Sequence, residues 1–306
     1  MAASQPPASQ LPPAASIGRS IALIFSATIL FAVMTVLVKW LGMIYGTIIV
    51  FFSRAFFALI PVLPLMMRHG LINALRTARP GTHVFRCFVG VLGMAINFYA
   101  LTILPLADVV AIGFTVPMFT TALSIPLLKE QVGIRRWSAV IVGFLGVLLI
   151  VRPGFGADSA LSAIPLAGAL CNALALIWVR KLAQTERSET IVFYFMASSA
   201  ALAAFLLPVQ WKTPTPGDLA LLVFMGLLGG VAQVMHTSAF RSAPVAVLAP
   251  FEYSAMLWAV IAGYVVWNDL PTWWTGAGTT LIVLSGLYIL HREIVVGRRR
   301  RLEKQA

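Results

Sequence analysis

The sequence predicts an all-α polytopic membrane protein with ten transmembrane helices, and three observations carry that prediction. Sixty per cent of its 306 residues are hydrophobic and only 10% are charged, with a mean hydropathy of +0.92. A soluble domain carries about a quarter charged residues, so the deficit points to surfaces that face lipid. Apolar runs of membrane-crossing length recur along the whole chain. The lysines and arginines fall in short connections between those runs.

The runs can be taken in order. The first sixteen residues, MAASQPPASQLPPAAS, have neither a basic leader nor an apolar core and read as a disordered tail rather than a secretory signal. Spans follow near 20–38, 46–67 and 84–103. The next begins near 108, because Pro105 sits at a helix start and splits two runs that nearly merge. It ends at 128, before the charged turn of Lys129, Glu130, Arg135 and Arg136, and the fifth covers 137–151. The second five lie near 161–179, 190–208, 219–240, 244–266 and 272–290, with Ala243 and Pro244 dividing the eighth from the ninth. Pro117 and Pro250, near the starts of spans four and nine, are candidate hinges.

Orientation follows from basic residues, which accumulate on the cytoplasmic side. With the N-terminus inside, eighteen of the 22 lysines and arginines are cytoplasmic, including Arg86 and the tail cluster Arg298 to Arg301. Only Lys39, Arg152 and Lys212 fall outside, and Arg54 lies within the membrane. Both termini are therefore expected in the cytoplasm. The surplus of twelve positive charges is a topology signal and not a nucleic-acid surface, since no fold that would present a basic face is visible. Membrane lipid is the expected contact of the arginine tail.

A shift of 139 residues lays the first five spans on the second five. Glu130 then falls on Asp269, Gly90 on Gly229 and Asn97 on His236. Five spans per half is an odd number, which forces the halves into opposite orientation, the arrangement of an inverted repeat. The predicted organisation is a cytoplasmic tail at 1–17, one five-helix repeat at 18–152, a second at 153–292 and a basic tail at 293–306.

LLKEQVGIRRWSAVIVGFLGVLLIVRPG, residues 127 to 154, and PFEYSAMLWAVIAGYVVWNDLP, residues 250 to 271, resemble the drug/metabolite transporter superfamily of EamA type. Gly146 in the first half and Gly278 in the second fit the glycine pattern that follows the acidic turn, whereas Ala139 and Ser285 depart from it. The arginine in FFSRAFFAL also resembles the family. The resemblance implies two five-helix halves around a central cavity that opens alternately, a bacterial inner-membrane location, and small-molecule transport without a cofactor. Membership does not choose a substrate.

Candidate site residues are the polar groups that the membrane makes costly. Arg54 and Glu252 each lie roughly 12–14 Å deep at 1.5 Å per residue. An intramembrane charge marks a pathway by default, and these two are expected to hold the carboxylate and the ammonium of a zwitterion. A structural role stays open for both: an ion pair, or an arginine satisfied by carbonyls. Asn97 and His236 continue small-polar stripes with Gly90, Gly93, Gly229 and Gln233, which serve either helix packing or substrate. Asn172, Tyr99 and Tyr253 are added because a mid-membrane amide or hydroxyl needs a partner, and Trp258 as a wall.

No phosphate-binding loop, HExxH, GxSxG or acidic dyad is present, so no direct ATP use and no enzyme is expected. Cys87 and Cys171 lie apart in apolar segments and suggest neither a disulfide nor a metal site. The expected function is export of an amino acid by alternating access, by a monomer or homodimer. Uptake of a vitamin or nucleoside-like metabolite, of the riboflavin or S-adenosylmethionine type, is the alternative. An intramembrane enzyme or a non-transporting scaffold is the remote one.

Overall fold

A hydrocarbon environment leaves a backbone no water to bond with, so a spanning chain must satisfy its own N–H and C=O groups, and helices do this within one segment. The computed structural model describes residues 14–67, 75, 77–128, 134–151, 161–182, 185–242, 248 and 251–303, and no strand occurs among them. Helix α1, Ala14–Tyr45, starts inside the segment read as a tail and continues past the predicted end at 38. It turns at Gly46, whose φ of 83° favours glycine, directly into α2, Thr47–Met67. Helix α3, Pro80–Ile103, begins with a proline whose missing N–H needs no partner in a first turn.

The predicted fourth span is two helices. Helix α4, Leu106–Gly113, ends where the Thr115 hydroxyl and N–H both donate to the Ile112 carbonyl, at 2.7 and 3.0 Å. Helix α5, Val116–Leu128, restarts with Pro117 in its first turn, so the bend falls where a hinge was expected. Then come α6, Ile134–Val151, α7, Ala163–Leu182, and α8, Ser188–Leu206. A single 3-10 turn, Leu207–Val209, precedes α9, Pro216–Ser242. The last two are α10, Ser254–Trp267, and α11, Trp273–Glu303. Among the described residues six stretches are long and apolar enough to cross a membrane: α1, α2, α3, the α4–α5 pair, α8 and α9. Shorter apolar helices occur at Trp137–Val151, Ala163–Val179 and Ser254–Trp267. The chain is an integral membrane protein. The turn at Lys129 and Glu130, the Ala243–Pro244 connection and Pro250 lie outside the described residues.

Lipid tails are as apolar as leucine, so close packing and hydrogen bonds hold helices together instead. The most extensive helix pairings are between α1 and α9, α3 and α7, and α6 and α11, while α2 lies against both α8 and α9. Glycine makes the closest of these possible. A Cβ on Gly146 would stand 2.6 Å from the Gly278 carbonyl oxygen, and one on Gly278 would collide with the Gly146 carbonyl. The two glycines of the sequence signature are thus the crossing point of α6 and α11.

Hydrogen bonds tie the helix ends at two faces. On the face of the α1–α2 turn, the Gly46 face, Tyr45 donates to Asp218 Oδ2 at 2.5 Å, and the Thr215 N–H donates to Tyr45 Oη at 3.2 Å. Lys212 Nζ donates to the Ile44 carbonyl at 2.9 Å. On the other, the Glu186 face, Glu186 Oε1 accepts from the Thr77 hydroxyl and the Ala78 N–H, both at 2.8 Å. The end of α1 therefore holds the start of α9, and the segment after α7 holds the residues that lead into α3.

Candidate functional site

Arg54 sits in the middle of α2 on the stripe that also buries Ser53, Ala55 and Ala58, and is 4% exposed. Room for its side chain comes from α9, where a Cβ on Gly229 would stand 3.3 Å from Arg54 Nε and 2.7 Å from Met34 Sδ. One guanidinium nitrogen, Nη1, reaches Met196 Sδ of α8 at 2.7 Å, a weak acceptor. Nε is buried with no hydrogen-bond partner. The buried guanidinium thus has a weak thioether acceptor on one nitrogen and an unfilled donor on another.

Two turns along α9 from Gly229, His236 Nε2 lies 2.7 Å from Glu252 Oε1, just ahead of α10. Both side chains are partly exposed, at 29% and 39%. Phe31 of α1 packs edge-on against the His236 ring, centroids 6.0 Å apart. Nearby, Thr28 Oγ1 and Ser254 Oγ lie 3.0 Å apart and link α1 to α10. Residues seven apart share a helix face, so Gly229 and His236 present Arg54 and Glu252 along one side of α9. Seven residues at 1.5 Å each set the two α9 positions that face them about 10 Å apart along the helix axis. Their α1 neighbours, Met34 and Phe31, are one turn apart and form the facing wall.

The other candidates fall elsewhere. Asn97 donates to its own helix at the Gly93 carbonyl, 3.1 Å away, and rests against Gly168 of α7. The Asn172 amide oxygen of α7 covers Gly93, where a Cβ would approach it to 2.7 Å. These two amides fill the seam between α3 and α7 and do not meet Arg54 or Glu252. Tyr99 is 49% exposed; two residues from Asn97, it points away from that seam. Tyr253 stacks obliquely on Phe114 at the α4–α5 bend, centroids 5.0 Å apart, with its hydroxyl against Gly286. Trp258 packs edge-on against Phe25 of α1 at 5.6 Å, and its Nε1 is buried without a hydrogen-bond partner.

Two cations that the sequence reading counted only by their side of the membrane lie inside helices. Arg86 of α3 stacks on Phe195 at 4.0 Å, and its Nε and Nη1 are buried without hydrogen-bond partners. Lys39 of α1 is 5% exposed. Arg86 stands within the third apolar run, a signal the basic-residue count hides. Lys39 falls just past the predicted end of the first run, and only the longer helix reveals it as buried. An apolar groove of about 490 Å³ opens between α2, α3 and α8, lined by residues such as Phe51, Phe88 and Leu202. It carries no charged group and does not contact Arg54 or Glu252. No cluster of three metal-ligating side chains occurs among the described residues.

The EamA-like transporter family matches the chain twice, over residues 18–152 and 160–291. An S-adenosylmethionine uptake transporter of Rickettsia prowazekii (strain Madrid E) is 30% identical over 258 residues, which cover 84% of this chain and 87% of that protein. A riboflavin transporter of Vibrio cholerae is 29% identical over 246 residues, 80% and 83% of the two chains. The pseudopaline exporter CntI of Pseudomonas aeruginosa is 29% identical over 265 residues, 85% and 91% of the two. These relatives are transporters and not enzymes.

Proposed function

Because the chain belongs to the EamA-like transporter family, we propose that it takes up a polar metabolite longer than an α-amino acid, of the adenosyl or flavin type, between α1, α2, α9 and α10. The separation of Arg54 from the His236–Glu252 pair carries this reading. The carboxylate and ammonium of a small α-amino acid sit on one carbon and do not by themselves span two receptors about 10 Å apart along α9. A metabolite with a ring system between its polar ends can. The names of the Rickettsia and Vibrio relatives support the same substrate class. Amino-acid export, the first expectation, has less support; export itself stays as the second reading, favoured by the likeness to the pseudopaline exporter.

The reading includes ten spans in two inverted halves, with the Gly46 face outside and both termini in the cytoplasm of a bacterial cell. The double family match at 18–152 and 160–291 supports it. So does the exchange of helix partners: α1 with α9 in one half's terms is α7 with α3 in the other's. The end contacts are exchanged in the same way, Tyr45 holding the start of α9 and Glu186 the residues that lead into α3. Within this frame His236 and Asn97 are counterparts, so the polar stripe of α9 became a site and that of α3 a packing seam.

Uptake of labelled S-adenosylmethionine, riboflavin and amino acids into proteoliposomes tests the reading, with Arg54→Gln and Glu252→Gln beside the unmodified chain. Saturable uptake of a member of the larger class, with KM raised about tenfold or more by either change, is expected, since a charged hydrogen bond contributes about 1.5–3 kcal/mol. Amino-acid flux alone, or flux indifferent to both changes, overturns it.

A further inference from the structure

Lys39 is placed where several chain ends converge. Its ammonium donates to the Leu104 carbonyl at 3.0 Å, the C-cap of α3. It lies over the Trp267 ring at 4.8 Å, the last residue of α10. Asp269 Oδ2 is 3.8 Å away, and Asp108 of α4 adds attraction while accepting from Thr275 of α11 at 2.8 Å. One cation thus caps the negative end of α3, faces the last ring of α10 and gathers α1, α3, α4, α10 and α11 at the Gly46 face. Helices α3 and α10 belong to different halves of the family match.

Lys39 also lies directly beyond the site. Phe31, Thr35 and Lys39 succeed one another at single-turn steps on α1, and Phe31 packs against His236. The ammonium stands roughly 12 Å along the axis from Phe31, toward the Gly46 face. At the positions 139 residues on, Trp178 replaces Lys39 and Val247 replaces Asp108. Asp269 has an acidic counterpart in Glu130, so what is particular to this face is the buried lysine and its second carboxylate.

We propose that Lys39 is the latch of the outer gate, closing the path from the Gly46 face to the His236–Glu252 site by clamping the α3 and α10 ends together. This rests on the carrier reading and its orientation. The latch is built to release. A buried ammonium needs full compensation, yet one of its three donors has a short acceptor and its carboxylate partner is 3.8 Å away and 44% exposed. Opening returns Lys39 and Asp269 to water, and their hydration offsets the broken bond to Leu104 and the parted Trp267 ring.

The test places one reporter thiol, Thr35→Cys, in the full chain with Cys87→Ser and Cys171→Ser, and measures labelling by a membrane-impermeant methanethiosulfonate in right-side-out and inside-out vesicles. Lys39→Met is expected to raise the initial rate about tenfold, as when an open state of the order of 1% becomes about 10% populated. Asp269→Asn, on a part-exposed turn, is expected to raise it less and to add little on top of Lys39→Met; it carries the test where Lys39→Met fails to fold. Lys39→Arg retains slow labelling. A rise confined to inside-out vesicles supports the latch and refutes the orientation. Unchanged rates on both sides, or fully additive effects, overturn the latch.

Discussion

Replacing Gly146 by alanine should pry α6 from α11. The added methyl carbon would stand 2.6 Å from the Gly278 carbonyl oxygen, 2.9 Å from Ile282 Cγ1 and 3.1 Å from Leu281 Cβ. Two of those neighbours are backbone or Cβ atoms, which cannot swing aside. The helices must part by several tenths of an ångström or more, and a radial gap of about 0.5–1 Å forfeits a quarter to a half of each contact's attraction. Overpacking of this kind costs about 1–3 kcal/mol, against which alanine's better helix propensity returns about 0.5–1 kcal/mol. With a contact this short the overpacking cost lies at the upper end, and the net expectation is a loss of about 2 kcal/mol. Gly276 of α11, with nothing within 4 Å of an added Cβ, is the control, and Gly276→Ala should be neutral or stabilising. Unfolding by dodecyl sulfate titration in mixed micelles measures both. A Gly146→Ala protein as stable as the parent, alongside a Gly276→Ala protein that behaves as stated, would refute the crossing geometry.

Asn97→Ala should lower that unfolding free energy by about 1 kcal/mol, the usual worth of one internal hydrogen bond, and both Asn97→Ala and Asn172→Ala should leave the KM for uptake unchanged. Tyr99→Phe should alter neither stability nor transport, because the side chain is half exposed away from the seam; any change in KM would return Tyr99 to the site. Tyr45→Phe removes the donor to Asp218 and should cost about 0.5–1.5 kcal/mol without touching substrate affinity in the same uptake assay.

Much of this was written in the sequence, for reasons that differ by residue. Helicity and the membrane setting follow from composition and run length, which lipid enforces without reference to tertiary contacts. Arg54 and Glu252 stand out because a charge amid apolar residues is conspicuous at any register. Their separation was not legible, since it depends on α9 presenting Gly229 and His236 on one face toward two different neighbours. The burial of Lys39 and the aromatic stacking of Arg86 were not legible, because a count by position takes no notice of long aliphatic stems. Their partners, the Leu104 carbonyl and the Phe195 ring, come from distant helices. The divergence of Tyr99 from Asn97 was legible: about 200° apart around a helix, the two do not share a face. The glycines after the acidic turn were visible as a pattern, but their purpose appears only when α6 and α11 cross.

The one-residue joint between α1 and α2 has a further consequence for how this protein tolerates change. Gly46 holds a φ of 83°, and a Cβ there would stand 2.8 Å from the Gln210 side chain, so almost every substitution meets both backbone strain and a neighbour. A saturation scan should show its deepest trough there, in a stretch that looks like an ordinary loop. An epitope tag or reporter inserted at that point would uncouple Phe31 and Met34 from Arg54.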